Sequence, residues 1–294
     1  MSNTKTPSLI SRVLKNAKNT ALRWYYDRDL HFRNTENDER FFFSLKSEKK
    51  PTGFSAMIRS KNEESKIERC IQSIYNTFDE IVYIDNGSTD STLQLVKDLK
   101  SRIDATDKIK IFEYPFQIAR CGAEHAQTDV NSVRSLAYYY NWCLSKASRN
   151  FVVKWDADMY LLPSGAEAFR SFMMGLQGSE VLASIPIRTV YIDPQGQAYA
   201  SDGEVNKELR IFPNRPYVRF HKAESYEILL PRFPIRRIEY RNIDVYEIKD
   251  TRENEFGHWT DTNFPTPRKQ REWENYNRVF CGEIEKDFTK VSLD

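Results

Sequence analysis

The sequence predicts an α/β fold in which a mostly parallel sheet is flanked by helices. From residue 53 onward, apolar runs of strand length alternate with amphipathic helical patterns, and this alternation is typical of parallel sheets. Two of the runs end in acidic residues, at Asp85 and Asp156. No apolar run approaches the ~20 residues of a membrane-spanning helix. The chain is therefore expected to form an α/β domain without a membrane span.

The first strand-helix unit begins at residue 53. Residues 53–59 are largely apolar and predict a strand. Residues 63–75 then place apolar side chains at helical spacing, at Ile67, Cys70, Ile71 and Ile74. This pattern predicts an amphipathic helix that packs on the sheet.

The second unit couples a strand to a turn suited to a nucleotide. Residues 80–84 predict a strand, and the run 85–90 that follows is Asp-Asn-Gly-Ser-Thr-Asp. Gly87 can adopt a positive φ angle, and the polar residues after it can cap the next helix. That helix has its apolar stripe at Leu93, Val96 and Leu99. Free backbone N–H groups beside a strand-end carboxylate can bind a nucleotide.

Two carboxylates lie one residue apart at the end of a third strand. Residues 151–154 are mostly apolar and predict a buried strand, and Trp155-Asp156-Ala157-Asp158 follows. Ligands of open α/β sheets bind beyond the carboxyl ends of the strands, and Mg²⁺ and Mn²⁺ prefer oxygen ligands, including substrate phosphates. The pair predicts a metal-bound phosphorylated substrate. The alternative is a solvated surface turn.

Taken together, these segments resemble the family-two glycosyltransferases of the GT-A fold. The resemblance rests on residues 55–64, 70–74, 79–90 and 155–158 and extends from about residue 53 to residue 163. It implies a Rossmann-like sheet and an inverting transferase that takes a sugar from a nucleotide diphosphate sugar, with UDP as the expected nucleotide. It also implies Mn²⁺ or Mg²⁺ as the cofactor.

The resemblance also assigns roles to individual residues. It places the nucleotide against Ile58, Arg59, Asn62, Asp85 and Asn86. It assigns Asp158 to the metal of the diphosphate and Asp156 to the ribose or a metal-bound water.

One departure concerns an Ala-Arg-Asn motif that many members of the family carry before the acidic pair. This chain has Tyr139-Tyr140-Asn141 there, so the contact of that arginine is either missing or supplied by Arg134.

The second half resembles the family less closely. Residues 209–213, 218–220 and 226–229 look like an Arg-Leu-Phe strand followed by a His-Glu pair, in which Tyr226 replaces the histidine. Direct displacement at the anomeric carbon needs a carboxylate that takes the proton of the acceptor hydroxyl. Glu227 is the candidate base, followed by Glu224 and then Asp202. Alternatively, Glu227 only pairs with a neighbouring arginine.

His258, in Gly257-His258-Trp259, is a candidate second metal ligand, since neutral imidazole can bind Mn²⁺. The alternative is a histidine packed against the tryptophan.

The cysteines do not predict a zinc site, because Cys70, Cys121, Cys143 and Cys281 are scattered along the chain. Four dispersed cysteines also argue against a disulfide framework and favour a cytoplasmic location.

Composition narrows the range of partners. The chain has 44 Lys and Arg against 42 Asp and Glu, so its charge does not favour nucleic acid, and no nucleic-acid partner is expected. Tyrosine and tryptophan are abundant near the predicted cleft, at Tyr138, Tyr139, Tyr140 and Trp142. These rings can stack on sugar faces or can simply be half-buried.

Residues 1–50 are predicted to form a basic amphipathic helical extension with a linker at 46–51. Apolar residues follow one helix face, at Ile10, Val13, Leu14, Ala17, Ala21 and Trp24. Such a helix can lie on an anionic membrane, which suits a lipid-linked acceptor, or it can pack on the protein itself. Residues 51–165 are predicted as the nucleotide-sugar half, and residues 166–294 as the acceptor half with a C-terminal helix.

The predicted activity is metal-dependent, inverting transfer of a sugar to a glycan or lipid-linked acceptor. One rival is a sugar nucleotidyltransferase, which normally carries a Gly-rich loop after the first strand, whereas residues 59–62 contain no glycine. The other rival is a non-catalytic scaffold or carbohydrate-binding protein.

Overall fold

In the computed structural model, the described residues are 20–23, 25–249, 267–284 and 287–293. Their strands are β1 (Leu30–Phe32), β2 (Phe43–Leu45), β3 (Phe54–Ser60), β4 (Glu80–Asp85), β5 (Ile109–Glu113), β6 (Phe151–Asp156), β7 (Met159–Leu161), β8 (Val181–Ile192), β9 (Ala198–Pro213), β10 (Val218–Lys222), β11 (Glu227–Pro231), β12 (Arg236–Glu239), β13 (Val245–Lys249) and β14 (Phe288–Val291). The helices are α1 (Ile67–Ile74), α2 (Thr92–Ile103), α3 (Ala123–Gln127), α4 (Leu136–Leu144), α5 (Ala166–Met174) and α6 (Pro267–Phe280).

Ten of these strands form one central sheet within the described residues. Its main order is β5-β4-β3-β6-β9-β8-β13-β7, with β12 beside β8 and β14 beside β9. The pairs β5-β4, β4-β3 and β3-β6 are parallel, and antiparallel β9 follows β6. The predicted α/β class, a mostly parallel sheet flanked by helices, is confirmed.

The strands of the first half are buried on both faces, as expected for parallel strands. On one face, Phe54 and Ile58 of β3 join a core with the apolar stripes of α1, α2 and α5. On the other face, Met57 joins a core with α4, β2 and residues of the β10-β11 hairpin. Helices and the hairpin therefore cover both faces of the sheet.

The predicted elements of the first half are confirmed. The helix stripe that includes Cys70 is buried in α1. Gly87 adopts φ +67° in the turn after β4. The side chain of Asp90 accepts a hydrogen bond from the backbone N–H of Thr92 at 3.0 Å and thereby satisfies one donor at the start of α2.

The second half is dominated by antiparallel pairing. The long strand β9 pairs with β8 through two register irregularities and with β6 through its last residues. The β10-β11 hairpin forms a separate two-stranded sheet. The C-terminal helix α6 packs Tyr276 and Val279 against Tyr191 of β8.

The predicted domain boundaries at residues 50 and 165 stay a prediction. The described central sheet contains strands from both sides of residue 165.

The described part of the N-terminal extension contacts the domain. Residues 20–23 and 25–26 are helical, and Leu22 and Tyr26 pack against the core on the α4 side of the sheet. Arg23 pairs with Glu180 at 3.1 Å. Residues 1–19, which carry most of the predicted amphipathic stripe, lie outside the described residues. None of the helices that the structure describes is long and apolar enough to cross a membrane.

Candidate active site

The predicted donor-binding residues meet at one edge of the sheet, where β3, β4 and β6 end. In the sheet register, Ser60 lies level with Asp85 of β4, and Arg59 lies level with Asp156 of β6. Asp85 and Asp156 are thus two strand spacings, or about 10 Å, apart. The edge presents two carboxylates with β3 between them.

The turn after β4 is held by side-chain contacts to its backbone. The Asp85 carboxylate accepts a hydrogen bond from the backbone N–H of Ser88 at 3.0 Å. Asn62, after β3, has φ +56°, and its side-chain oxygen accepts from the backbone N–H of Thr89 at 2.8 Å. The two predicted residues, Asn62 and Asp85, therefore shape one turn.

Asn86 fixes the other side of this turn. Its side-chain amide donates to the backbone carbonyls of Tyr114 at 2.9 Å and Phe116 at 2.7 Å. Since both amide protons are used, the side-chain oxygen is the atom left for a ligand donor. Ile58 is fully buried, backbone included, in the core between β4 and β6, so the predicted contact of Ile58 with a nucleotide is wrong, and Ile58 supports the site by packing.

Asp156 lies between two arginines. One carboxylate oxygen accepts from Arg59 at 2.7 Å, and the other accepts from Arg210 of β9 at 2.6 Å. Arg210 is 2% exposed and also donates to Glu208 at 2.6 Å. The Arg59 guanidinium lies 3.7 Å from the ring centroid of Tyr140 on α4, which is a cation–π stack.

These cations hold Asp156 in its charged form. Burial alone would raise the pKa of Asp156, but Arg210, Lys154 and Arg59 outweigh it and keep this pKa well below its ordinary value. The pKa of Glu208 is lowered to about 2, since Arg210 and Lys154 outweigh the effect of its burial. Both carboxylates are ionised at neutral pH.

Asp158 lies in a second cluster. Its Oδ2 accepts from the ammonium group of Lys249 on β13 at 2.9 Å, and Lys249 also contacts Glu247 at 3.1 Å. Lys249 is 2% exposed. Burial raises the pKa of Glu247, Lys249 opposes this shift, and Asp158 adds to it.

Helix α6 connects the two clusters. Arg268, near its start, donates to Glu208 at 2.8 Å and to Glu247 at 3.4 Å. Arg268 and Lys269 also pair with the fully buried Glu272 at 2.6 and 2.8 Å. The predicted C-terminal helix therefore contributes charged side chains to the candidate site.

The donor set of the described residues suits one metal contact. Asp158 provides a carboxylate whose Oδ2 is held by Lys249, and no other contact of this carboxylate is found among the described residues. The described chain has no group of three or more histidine, cysteine, aspartate or glutamate side chains arranged around a metal position. A hard divalent cation commonly takes one or two carboxylates and completes its shell with water and substrate phosphates, so Asp158 fits that pattern.

The candidate base Glu227 starts strand β11, on the α4 side of the cleft. It is partly buried, and its charge acts on Tyr140, Cys121 and Lys154. Glu227 therefore lies in the same region as the Asp156 cluster. Glu224 is exposed in the turn between β10 and β11.

Three other predicted residues are placed differently. Arg134 precedes α4, has a side chain that is 55% exposed, and pairs with Glu124 at 3.6 Å. Asp202 lies on β9, but its side chain is outside the described part of the structure. His258 also lies outside the described residues, so its role as a metal ligand stays a prediction.

Sequence reasoning missed several charged residues of the site. Lys154 interrupts an otherwise apolar run, and that interruption was the available signal for it. Arg210 and Lys249 lie in strands that carry other charged residues, so no comparable signal marked them. Of the four predicted stacking aromatics, Tyr138, Tyr139 and Trp142 are 2–4% exposed and belong to the core. Tyr140 alone of these four is partly exposed, and it stacks on Arg59.

The family model described as Glycosyl transferase family 2 matches residues 55–189, a little under half of the chain. This segment contains β3 except its first residue, all of β4 and β6, and both acidic residues of the Asp-Ala-Asp motif.

Curated relatives match over a short segment. An uncharacterized glycosyltransferase of Rickettsia typhi is 43% identical over 49 residues, and one of Rickettsia bellii is 41% identical over the same length. In each case the match covers 17% of this chain and 17% of the relative, so the chain spans about a sixth of the length of these relatives.

Solved structures with similar folds include Staphylococcus aureus TarS (residues 1–349) in complex with UDP-GlcNAc. It has a TM-score of 0.41 and 16% identity, over 74% of this chain and 63% of TarS. Another is glucosyl-3-phosphoglycerate synthase of Mycobacterium tuberculosis with Mn²⁺, UDP and glucosyl-3-phosphoglycerate. It has a TM-score of 0.32 and 21% identity, over 47% of this chain and 44% of the synthase.

Proposed function

We propose that this protein, whose residues 55–189 match the model of glycosyl transferase family 2, moves a sugar from a nucleotide diphosphate sugar to an acceptor hydroxyl. UDP is the nucleotide we expect, and a glycan or lipid-linked sugar is the acceptor class. The proposal depends most on one observation, the meeting of Asn62, Asp85, Arg59 and Asp156 at the carboxyl edge of parallel strands in the matched segment.

The nucleotide would lie along the ends of β3 and β4. Asp85 and the side-chain oxygen of Asn86 can accept hydrogen bonds from base or ribose donors, and Arg59 can donate. Asp156 is held rigidly between Arg59 and Arg210, so it is preorganised to accept from a ribose hydroxyl. The diphosphate would then extend toward Asp158.

Transfer would proceed by direct displacement with inversion. The acceptor oxygen forms a bond to the anomeric carbon while the bond from that carbon to the diphosphate oxygen breaks, and the electron pair leaves with the diphosphate. Glu227 would take the proton of the acceptor hydroxyl. The charge that Glu227 exerts on Tyr140 and Lys154 supports this role, because both lie beside Asp156.

A Mn²⁺ or Mg²⁺ ion is part of this proposal. Asp158 and the substrate phosphates would hold it, with His258 as a further predicted ligand. When bound, such an ion neutralises part of the charge on the leaving diphosphate. Lys249, which already contacts Asp158, adds a second positive charge on the same side of the site.

The products of a donor assay test the function. The protein is incubated with UDP-glucose, UDP-N-acetylglucosamine or UDP-glucuronate in Mn²⁺, with and without a mixture of simple sugar acceptors, and UDP is measured. We expect one donor to release UDP in a metal-dependent reaction. Formation of pyrophosphate from UTP and a sugar 1-phosphate would indicate the rival nucleotidyltransferase. UDP binding without release from any donor would favour a non-catalytic protein.

Residues 1–30 give a second, smaller proposal. The stretch has six basic and two acidic residues, which suits the surface of an anionic membrane. A cytoplasmic enzyme bound there would reach a lipid-linked acceptor. The contacts of Leu22, Arg23 and Tyr26 with the domain support the alternative of packing for the end of this stretch.

A further inference from the structure

The cluster around Asp156 contains more hydrogen-bond donors than acceptors. Both carboxylate oxygens of Asp156 are taken, one by Arg59 and one by Arg210. Both oxygens of Glu208 are also taken, by Arg210 at 2.6 Å and Arg268 at 2.8 Å. The Nε–H groups of Arg59 and Arg210 are buried and find no partner in the described structure.

Lys154 adds three more donors to this excess. It lies on β6 two residues before Asp156, so both side chains project from the same face of the strand. It is partly buried, and its ammonium group is 5.8 Å from the ring centroid of Tyr140. Among the described residues, this ammonium group makes no hydrogen bond or ion pair.

A partly buried ammonium group without a partner lowers the stability of the folded protein unless an anion binds to it. Removing an ammonium from water disfavours its charged form, and burial accordingly lowers the pKa of Lys154; Asp156 opposes this shift, and Arg210 and Arg59 add to it. Each oxygen of the neighbouring Asp156 and Glu208 carboxylates already accepts a hydrogen bond from an arginine, and neither carboxylate contacts Lys154. Glu227 acts on Lys154 from the acceptor side without direct contact. The gap between Lys154 and Glu227 is where the reacting sugars would lie.

We propose that Lys154, together with Arg59 stacked on Tyr140, forms a subsite for a negatively charged substituent of a substrate sugar. This inference rests on the proposed function, and it narrows the substrate class to sugars that carry a carboxylate or a phosphate. A carboxylate or phosphate would receive hydrogen bonds from Lys154 and would balance the positive charge around Asp156. The charged substituent belongs either to the transferred sugar or to the acceptor sugar.

Calorimetric titration of matched donors tests the subsite. Wild-type protein, Lys154→Met and Lys146→Met are titrated with UDP, UDP-glucose and UDP-glucuronate under the same metal conditions. Lys146 is the control, because its ammonium also lies against an aromatic ring, 4.3 Å from the centroid of Trp142, outside the Asp156 cluster. If the transferred sugar carries the charge, wild type and Lys146→Met bind UDP-glucuronate at least about tenfold more tightly than UDP-glucose, which is about 1.4 kcal/mol. Lys154→Met loses this preference and retains UDP affinity.

A second arm tests the acceptor sugar. The same three proteins, saturated with UDP, are titrated with glucose and glucose 6-phosphate. A preference for glucose 6-phosphate that Lys154→Met alone removes assigns the subsite to the acceptor. The inference is overturned if neither arm shows a preference for the charged probe, or if Lys154→Met keeps it.

The proposed function can fail separately. If wild type does not bind UDP but binds glucose 6-phosphate in a Lys154-dependent manner, the anion subsite stands and nucleotide-sugar transfer does not. If UDP binds while all charged and neutral sugars behave alike, only the subsite fails.

Discussion

The two carboxylates of the Asp-Ala-Asp motif have very different surroundings. Asp156 accepts hydrogen bonds from Arg59 and Arg210, which lie on the strands on either side of β6. Asp158, two residues later and just beyond the end of β6, is buried and has one contact, with Lys249. A rigid carboxylate suits a fixed hydrogen bond to the substrate, whereas a carboxylate with fewer protein contacts can bind a metal or the metal-bound phosphates.

The nucleotide side and the reaction side of the site also differ in how far apart their residues lie in the sequence. On the nucleotide side, Asn62, Asp85 and Asn86 come from short loops at the ends of adjacent parallel strands. On the reaction side, Glu227 belongs to a hairpin. Arg210 belongs to β9, which is antiparallel to both of its neighbours, and Lys249 belongs to β13, which is parallel to β8. The first set is local in sequence, and the second is assembled from distant segments.

The largest expected effect is a loss of turnover from a substitution on the reaction side that leaves nucleotide binding unchanged. Glu227→Gln keeps the side-chain shape and removes the proton acceptor, so kcat should fall by about 10²–10⁴ while UDP affinity stays near wild type. Steady-state transfer assays and UDP titration measure the two quantities. The exposed Glu224→Gln is the matched control, and normal turnover of Glu227→Gln with loss in Glu224→Gln would show that the base is misassigned.

The next effect tests how firmly Asp156 is held. Arg210→Met leaves Asp156 and Glu208 each without one buried partner, and the expected loss in free energy of unfolding is about 3–5 kcal/mol. Urea unfolding measures it. Arg40→Met removes an exposed arginine that pairs with Asp38 and should change stability little. Equal stability of the two variants would contradict the rigid-carboxylate account.

The pH dependence of stability tests whether Glu208, which shares Arg210 with Asp156, is stabilised in its charged form. Glu208 has a folded-state pKa of about 2 against an ordinary value of 4.5, so its contribution is present above pH 4.5 and is lost as pH falls toward 2. The full contribution is on the order of 3 kcal/mol. In urea unfolding, the stability gap between wild type and Glu208→Gln should narrow as pH falls from about 5 to about 3. A gap that is constant over this window would mean that Glu208 is not preferentially charged in the folded state.

The smallest effect on catalysis is expected at the N-terminus. Deletion of residues 1–19 should weaken binding to anionic vesicles, because it removes four of the six basic residues before Leu30, and should leave turnover of a soluble acceptor nearly unchanged. Vesicle sedimentation and the donor assay measure the two results. An unfolded truncation would instead support a packing role for the helix.

Much of the fold could be predicted from the sequence because the evidence was local. Strand and helix periods at residues 53–99 and the polar residues at strand ends are properties of short segments, and β3, β4, α1 and α2 follow them. The charged network could not be predicted in the same way. Arg210, Lys249 and Arg268 meet Asp156, Asp158 and Glu208 only through sheet pairing and helix docking, which no short segment encodes. Lys154 was a visible exception to an apolar run, but its surroundings depended on α4 and β9.

The most direct test of the account is calorimetric titration of UDP into wild type and Asp158→Asn, each in Mn²⁺ and in EDTA. Asp158→Asn leaves Lys249 paired with Glu247, so the fold should persist, and circular dichroism checks this. We expect Mn²⁺ to strengthen UDP binding to wild type by at least about tenfold, or about 1.4 kcal/mol, and to have little effect on Asp158→Asn. Metal-independent binding to both proteins, or no binding of UDP to folded wild type, would contradict a nucleotide diphosphate site at Asp158.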